Sequence, residues 1–174
     1  IRDDLVTGVQ TCALPILSLG DKQPFIIAGP GEYEYKGVLV HGLHSQSKYA
    51  KESRINTIYF VSLEGINLCF LGALEKKELP KDVVEAIEAV DVLFVPIGGD
   101  GVLPPTDAYE LAVSLEPKII IPMHYGTVGG KNTLQTFLKE GGAEKDAEQL
   151  DKLTLKKKDL EGREGAIVVL KPSS

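Results

Sequence analysis

The three histidines of this 174-residue chain are its clearest candidates for chemistry. An imidazole ring transfers protons near neutral pH and binds transition metals. His124 follows the apolar run KIIIPM (118–123), so we expect it at the carboxyl end of a buried strand. Ligands and catalytic groups of open α/β sheets gather at such ends. A structural histidine, hydrogen-bonded at the edge of a sheet, is the alternative that position alone leaves open.

The other two histidines, His41 and His44, lie three residues apart in VLVHGLHS (38–45). Side chains alternate between the two faces of an extended strand, so these rings are predicted to point to opposite faces. They could share a metal only if Gly42 interrupts the strand with a bulge or a turn. Surface histidines, or histidines satisfied by local hydrogen bonds, are the favoured interpretation.

Two further stretches combine glycine with carboxylates. GPGEYE (29–34) places Glu32 and Glu34 on one face of an extended strand, and we interpret it as a tight turn leading into a hairpin rather than an acid–base pair. PIGGDGVLPPTDAYE (96–110) puts a glycine-rich loop before a helix, a geometry that can bind an anion through backbone N–H groups. Neither nucleotide-binding glycine motif is present, however, and Asp100 and Asp107 are interpreted as turn and cap residues.

The composition is that of a soluble globular domain, with 43% hydrophobic and 25% charged residues. A net charge of −6 argues against nucleic acid and anionic membranes as partners. Two cysteines provide neither a disulfide framework nor a cysteine-based zinc site, so a cytoplasmic location is expected. A small-molecule substrate is the expected partner of an active protein, and homo-oligomerisation stays open.

The first sixteen residues form a separate segment. VTGVQTCALPI (6–16) shows neither helical nor strand periodicity, and it resembles an index-read sequencing adapter translated in frame. Residues 1–5 are similar to the translation of the same oligonucleotide, including its variable index. We therefore expect residues 1–16 to be a non-native, adapter-derived segment and the native domain to cover 17–174.

The remaining sequence alternates apolar strand patterns with helical ones. Glu64-Gly65 is predicted to form a tight hairpin turn. Thr106 is the expected N-cap of the second helix, and Pro117 is expected to end it. This order predicts a sheet covered by helices, of α/β or α+β class. The predicted strands are 25–28, 38–43, 57–63, 66–71, 92–96, 119–123 and 166–170, and the predicted helices are 80–89, 106–115 and 131–140.

Four of these stretches together resemble the C-terminal half of metallo-β-lactamase-fold hydrolases. They are PFIIAGPGEYEYKGVLVHGLHS, RINTIYFVSLEGINLCFLGAL, VDVLFVPIGGDG and EPKIIIPMHYGT. The branch they are most similar to is that of L-ascorbate-6-phosphate lactonase-like and other zinc-dependent hydrolases. The resemblance implies an αββα sandwich, of which residues 17–174 would be a truncated domain.

The resemblance also implies a metal site. Such enzymes use Zn or Mn to activate water for attack on a lactone, ester or phosphoester, with the first ligands in an HxHxDH motif upstream of this region. His124 matches a ligand position, and His44 lies near a second one. Phe70 and Ala73 occupy positions where relatives carry ligands, and neither side chain offers a lone pair. We therefore expect an incomplete metal site that does not bind metal in this chain, and the alternative is a non-catalytic relative that binds a ligand or partner without metal.

Overall fold

The structure is a computed structural model that describes residues 26–48, 53–87, 89–126 and 129–171. The adapter-derived segment predicted at 1–16 lies outside these residues. The described residues contain one mixed sheet with the strand order β1-β2-β3-β4-β5-β6-β8-β7. Its strands are β1 (Gly31–Tyr35), β2 (Val38–Ser47), β3 (Arg54–Leu63), β4 (Ile66–Phe70), β5 (Val92–Pro96), β6 (Ile119–Met123), β7 (Glu148–Leu150) and β8 (Ala166–Leu170).

The sheet has an antiparallel half and a parallel half. Strands β1 to β4 pair in chain order as an antiparallel meander. The predicted Glu64-Gly65 turn joins β3 to β4, and both residues have positive φ, as a two-residue hairpin turn requires. From β4 onward, the pairs β4–β5, β5–β6 and β6–β8 are parallel. The predicted sheet covered by helices is confirmed.

Three helices provide the crossovers of the parallel half: α1 (Lys81–Ala86), α2 (Pro105–Ser114) and α3 (Thr133–Glu140). All three pack against one face of the sheet, where Val83, Leu111 and Phe137 join the main hydrophobic core. The opposite face carries a smaller cluster around Ile119 and Val168, covered in part by residues 150–160. Cys69 belongs to the main core, where burial raises the pKa of its thiol to about 12. It is the small buried hydrophobe that an isolated cysteine in an apolar strand usually is.

Two sequence predictions are wrong in this part of the fold. Residues 26–28 form no strand; the first described strand begins at Gly31 instead. The backbone there is hydrogen-bonded by a side chain, since the Tyr59 hydroxyl donates to the Ile27 carbonyl at 3.5 Å. The second helix is not capped by Thr106, because Pro105 is already helical and Pro104 is the N-cap residue. Proline is well suited to the first helical position, where no N–H donor is needed.

At the amino ends of the parallel strands, Asp91 ties several elements together. Its carboxylate is 6% exposed and accepts hydrogen bonds from the Asn67 N–H at 2.9 Å and the Lys118 ammonium at 2.6 Å. The Lys157 ammonium, from the 3₁₀ turn Lys157–Leu160, lies 3.3 Å from Asp91 Oδ2, the oxygen that also accepts from the Asn67 N–H. Burial opposes the charge of Asp91, but these hydrogen bonds outweigh it and hold its pKa below the ordinary carboxyl value.

This cluster predicts a pH dependence of stability. A carboxyl group whose pKa is lower in the folded state stabilises the fold above its unfolded pKa of about 4, and that contribution is lost as the pH falls through the folded pKa. We expect Asp91→Asn to cost about 1–3 kcal/mol at pH 7. The cost should shrink below pH 4, as measured by urea unfolding across pH. Asp151→Asn is the matched control, because Asp151 is 85% exposed in its pair with Lys171; a cost for Asp91→Asn that does not vary with pH would contradict this account.

Candidate functional site

The site candidates collect at the carboxyl edge of the sheet. Strands β2, β4, β5 and β6 all run in one direction, because β3 is antiparallel to both β2 and β4. His44 lies near the end of β2, Ala73 follows β4, Gly98 follows β5 and His124 follows β6. The predicted position of His124, directly after a buried strand, is therefore confirmed.

His124 has an unusual backbone and a partly buried ring. Its φ of +57° is in the left-handed region, which a residue with a side chain adopts at a cost of roughly 1–2 kcal/mol. Its Nδ1 atom is buried, and burial lowers the pKa of the imidazole. Burial thus favours the neutral form of the ring, and a neutral imidazole has one nitrogen lone pair that can bind a metal ion.

Glycine backbones enclose the carbonyl of His124. A Cβ atom at Gly98 would stand 2.8 Å from the His124 oxygen, and one at Gly129 would stand 2.6 Å from it. The Gly130 N–H donates to the Gly98 carbonyl at 2.8 Å and joins the loop after β6 to the loop after β5. The glycines of PIGGDG and GTVGG thus allow two loops to approach each other beside His124.

The turn after β4 is held by a buried amide. Asn56 of β3 donates through Nδ2 to the Ser45 hydroxyl at 2.7 Å and to the Leu71 carbonyl at 2.9 Å. Its Oδ1 accepts from the Ala73 N–H at 2.9 Å. Residue 73 is therefore fixed through its backbone, although its side chain is a methyl group.

The two histidines predicted as metal ligands lie far apart along this edge. In the β2–β3 register, His44 lies opposite Thr57 and His41 lies opposite Phe60. His41 and His44 are three residues apart in one strand, so their side chains point to opposite faces, as predicted. The β2–β3 register continues through Gly42 without a bulge. Four strand-to-strand steps of about 4.8 Å separate β2 from β6, which puts His44 roughly 19 Å from His124. Three strands, β3, β4 and β5, thus lie between the strands next to the two predicted ligands.

The described residues do not form a complete metal site. Phe70 stacks on Phe94 with ring centroids 3.8 Å apart, and Ala73 has no donor atom in its side chain. No group of three histidine, cysteine, aspartate or glutamate residues in the described ranges is close enough to hold a metal ion. A protein zinc site normally uses at least three such donors. Within the described ranges, His124 alone does not make a metal site.

Comparison with known proteins places this edge in a family. The profile of the β-lactamase superfamily domain matches residues 6–124, which is more than half of the chain. A solved metallo-β-lactamase superfamily protein from Thermotoga maritima, named as a Zn-dependent hydrolase, is 34% identical with a TM-score of 0.67. That match covers 83% of this chain and 70% of the other. The chain belongs to the metallo-β-lactamase superfamily.

Curated relatives in this superfamily match over a shorter region. The UPF0173 metal-dependent hydrolase of Listeria innocua is 30% identical over 109 residues, which cover 60% of this chain and 47% of the relative. A UPF0173 protein of Pyrococcus abyssi is 46% identical over 41 residues, which cover 24% of this chain and 20% of that protein. The chain thus spans about half, or less, of the curated relatives it matches.

The carboxylates considered in the sequence are exposed or lie close to a basic side chain. Glu32 lies on β1; its side chain is 86% exposed, and its Oε1 atom lies 3.9 Å from His41 Nε2. Glu34 is exposed on the same strand. Asp107 lies in the first turn of α2, 3.5 Å from the Lys77 ammonium. Asp100 is an exposed bend residue in the loop after β5.

Sequence reasoning missed two residues of this edge. Asn56 lies just before the predicted strand 57–63, and its three hydrogen bonds join segments that are distant in sequence. Thr133 begins α3, and its side chain is buried with the hydroxyl inside the protein. The superfamily resemblance carried no signal for either role. Among the described residues, no helix has the length and apolar character needed to cross a bilayer.

The Asn56 network predicts an asymmetric effect of two glycine substitutions. Gly72 and Gly142 have nearly the same φ, +63° and +62°. A Cβ atom added at Gly72 would collide with Asn56 Oδ1, whereas a Cβ atom added at Gly142 would meet nothing within 4 Å. Gly142→Ala should cost only the backbone strain of about 1 kcal/mol. We expect Gly72→Ala to lower the free energy of unfolding by at least about 2 kcal/mol more than Gly142→Ala does.

A double-mutant cycle tests the cause. In an Asn56→Ala background the obstructing oxygen is absent, so Gly72→Ala should cost no more than Gly142→Ala does. Urea unfolding of the four single and double variants measures this. If the excess cost of Gly72→Ala persists without Asn56, the amide is not what confines the turn.

Proposed function

We propose that this chain is the carboxyl-terminal part of a metal-dependent hydrolase, and that His124 is the metal ligand it contributes. The observation that carries the proposal is the position of His124, directly after β6 at the carboxyl edge of the sheet, with its backbone in a left-handed conformation. The names of the Thermotoga and Listeria relatives, Zn-dependent and metal-dependent hydrolase, support the same class. The upstream half of the sandwich would supply the remaining ligands.

A bound Zn or Mn ion would lower the pKa of water and polarise a carbonyl or phosphoryl group of the substrate. The residues of this chain would orient one ligand and shape the edge around it. The packing of Gly98 and Gly129 against the His124 carbonyl fixes the backbone from which the ring projects. A lactone, an ester or a phosphoester is the proposed substrate class, and a small molecule in the cytoplasm is the proposed partner, with no nucleic acid or membrane. A homo-oligomer is compatible with the proposal.

A specific observation favours a second function. Phe70 and Ala73 provide no donor atoms, and the described residues provide no three-ligand set. A relative of these hydrolases that binds a ligand or partner without metal would keep the fold and the loops of this edge while losing those donors. Metal content decides between the two functions.

We predict that a full-length protein, with its upstream half present, retains stoichiometric zinc or manganese after dialysis, and that His124→Ala removes most of it because a ligand is lost. Metal content is measured by elemental analysis. His41→Ala is the matched control, since His41 is also a partly exposed histidine of the sheet. His44→Ala separately tests the second ligand position. Stoichiometric metal that depends on His124 would exclude the metal-free function, whereas metal content unchanged in His124→Ala would overturn the ligand role.

A further inference from the structure

The strand that leads into His124 loses one of its two neighbours before it ends. β6 pairs with β5 along its whole length, from Ile119 to Met123. Within the described residues, its pairing with β8 stops at Ile120, three residues before the strand itself ends. The sheet ladder therefore holds the last residues before His124 on the β5 side only, in this described part of the chain.

Pro122 explains why the ladder with β8 stops. Successive residues of a parallel strand bond alternately to the strand on one side and to the strand on the other. The Lys118 carbonyl accepts from the Ala166 N–H of β8 at 3.0 Å, so residues 118, 120 and 122 direct their backbone groups toward β8. The next donor in this series would be the N–H of residue 122, and proline has none.

A side chain spans the gap that this proline leaves. The Tyr125 hydroxyl donates to the Leu170 carbonyl at 2.6 Å. By the same alternation, residues 166, 168 and 170 of β8 direct their backbone groups toward β6. The Leu170 carbonyl thus lies on the correct side of β8, beyond the last β6–β8 pair, and the tyrosine takes the place of a ladder donor.

Both ends of this hydrogen bond are fixed. Leu170 lies opposite Leu150 in the β7–β8 ladder, and the Lys171 N–H donates to the Leu150 carbonyl at 2.9 Å. The ring of Tyr125 is half-buried and packs against the main hydrophobic core. Packing of this kind restricts a side chain to few rotamers. The bond therefore ties the loop after β6 to a rigid strand end.

The residue that this bond fixes is the direct neighbour of His124. On the other flank of His124, the Met123 carbonyl accepts from the Ile97 N–H at 3.0 Å, on the β5 side. Since the peptide bonds between these residues are planar, the backbone positions of Met123 and Tyr125 restrict the direction in which the His124 side chain leaves the chain. A backbone bond on one side and the tyrosine bond on the other thus hold the proposed metal ligand.

We propose that Tyr125 is a positioning residue, which through its bond to Leu170 sets the direction of the His124 ring for metal binding. The metal in this statement rests on the proposed function, whereas the effect of the bond on the ring does not. Tyr125→Phe removes the hydroxyl and keeps the packed ring. It should leave the fold in place and the segment around His124 less ordered.

The order of the ring is measured in the full 174-residue chain, without metal. The chain contains three histidines, so ¹³C relaxation of labelled imidazoles reports on each ring separately. In Tyr125→Phe, the His124 ring should move with a larger amplitude than in the wild type. The rings of His41 and His44, which lie on β2, should relax as they do in the wild type.

Tyr59→Phe is the matched control. Tyr59 is also a half-buried tyrosine of this sheet, and its hydroxyl bonds the backbone of Ile27 and Gly29. Its loss should lower the melting temperature about as much as Tyr125→Phe does, because each change removes the bonds of one hydroxyl to the backbone. It should leave the relaxation of the His124 ring unchanged.

Zinc affinity is the second readout, measured by competition with a chelator in a full-length protein that contains the upstream half. Tyr125→Phe should weaken zinc binding roughly tenfold, at the lower end of the effect of residues that orient metal ligands. Tyr59→Phe should bind zinc as the wild type does.

Each result decides one part of the proposal. An unchanged His124 ring in Tyr125→Phe would overturn the positioning role, and a lower melting temperature alone would leave the tyrosine a structural residue. A more mobile ring with unchanged zinc affinity would overturn the connection to metal binding. Failure of the proposed function is seen separately, as a wild-type protein that binds no zinc, and the relaxation of the ring still tests the role of Tyr125 in that case.

Discussion

The side-chain amide of Asn56 is the interaction on which the carboxyl edge of the sheet depends. It joins β2, β3 and the turn after β4 through three hydrogen bonds. From that turn, backbone bonds continue across the edge: the Leu103 N–H donates to the Leu74 carbonyl, and the Gly99 N–H donates to the Leu103 carbonyl. The Gly130–Gly98 bond then reaches the loop beside His124. A connected series of hydrogen bonds therefore runs from Asn56 on β3 to the loop beside His124, three strands away.

The parts of the fold that the sequence predicts best are those buried on both faces. β5, β6 and β8 have the predicted bounds because such strands are continuous apolar runs between turn residues. β7 and β1 were missed because edge strands carry exposed polar residues and lack that signal. His124 was predictable, since a position after a strand is local information. The role of Asn56 was not, because it depends on hydrogen bonds that only the folded chain defines.

At positions 70 and 73 the resemblance implies metal ligands, but the fold holds both positions without a donor side chain. The turn at Ala73 is fixed through its backbone N–H, which any residue except proline provides. Phe70 gains a stacked partner in Phe94, which offsets the exposure of an aromatic ring on the less covered face. Neither the stacking at residue 70 nor the backbone hydrogen bond at residue 73 requires a metal-binding side chain. Preservation of the fold here is a poor indicator of preserved metal binding.

His124 presents the opposite balance. Its left-handed backbone and partly buried ring both cost free energy, and glycine or asparagine would adopt the same φ with less strain. The surrounding glycines add a further cost, because Gly98 and Gly129 surrender conformational freedom to approach its carbonyl. Such strain persists where the surrounding structure holds the backbone in place, and here the buried strand β6 and the two packed glycines do so.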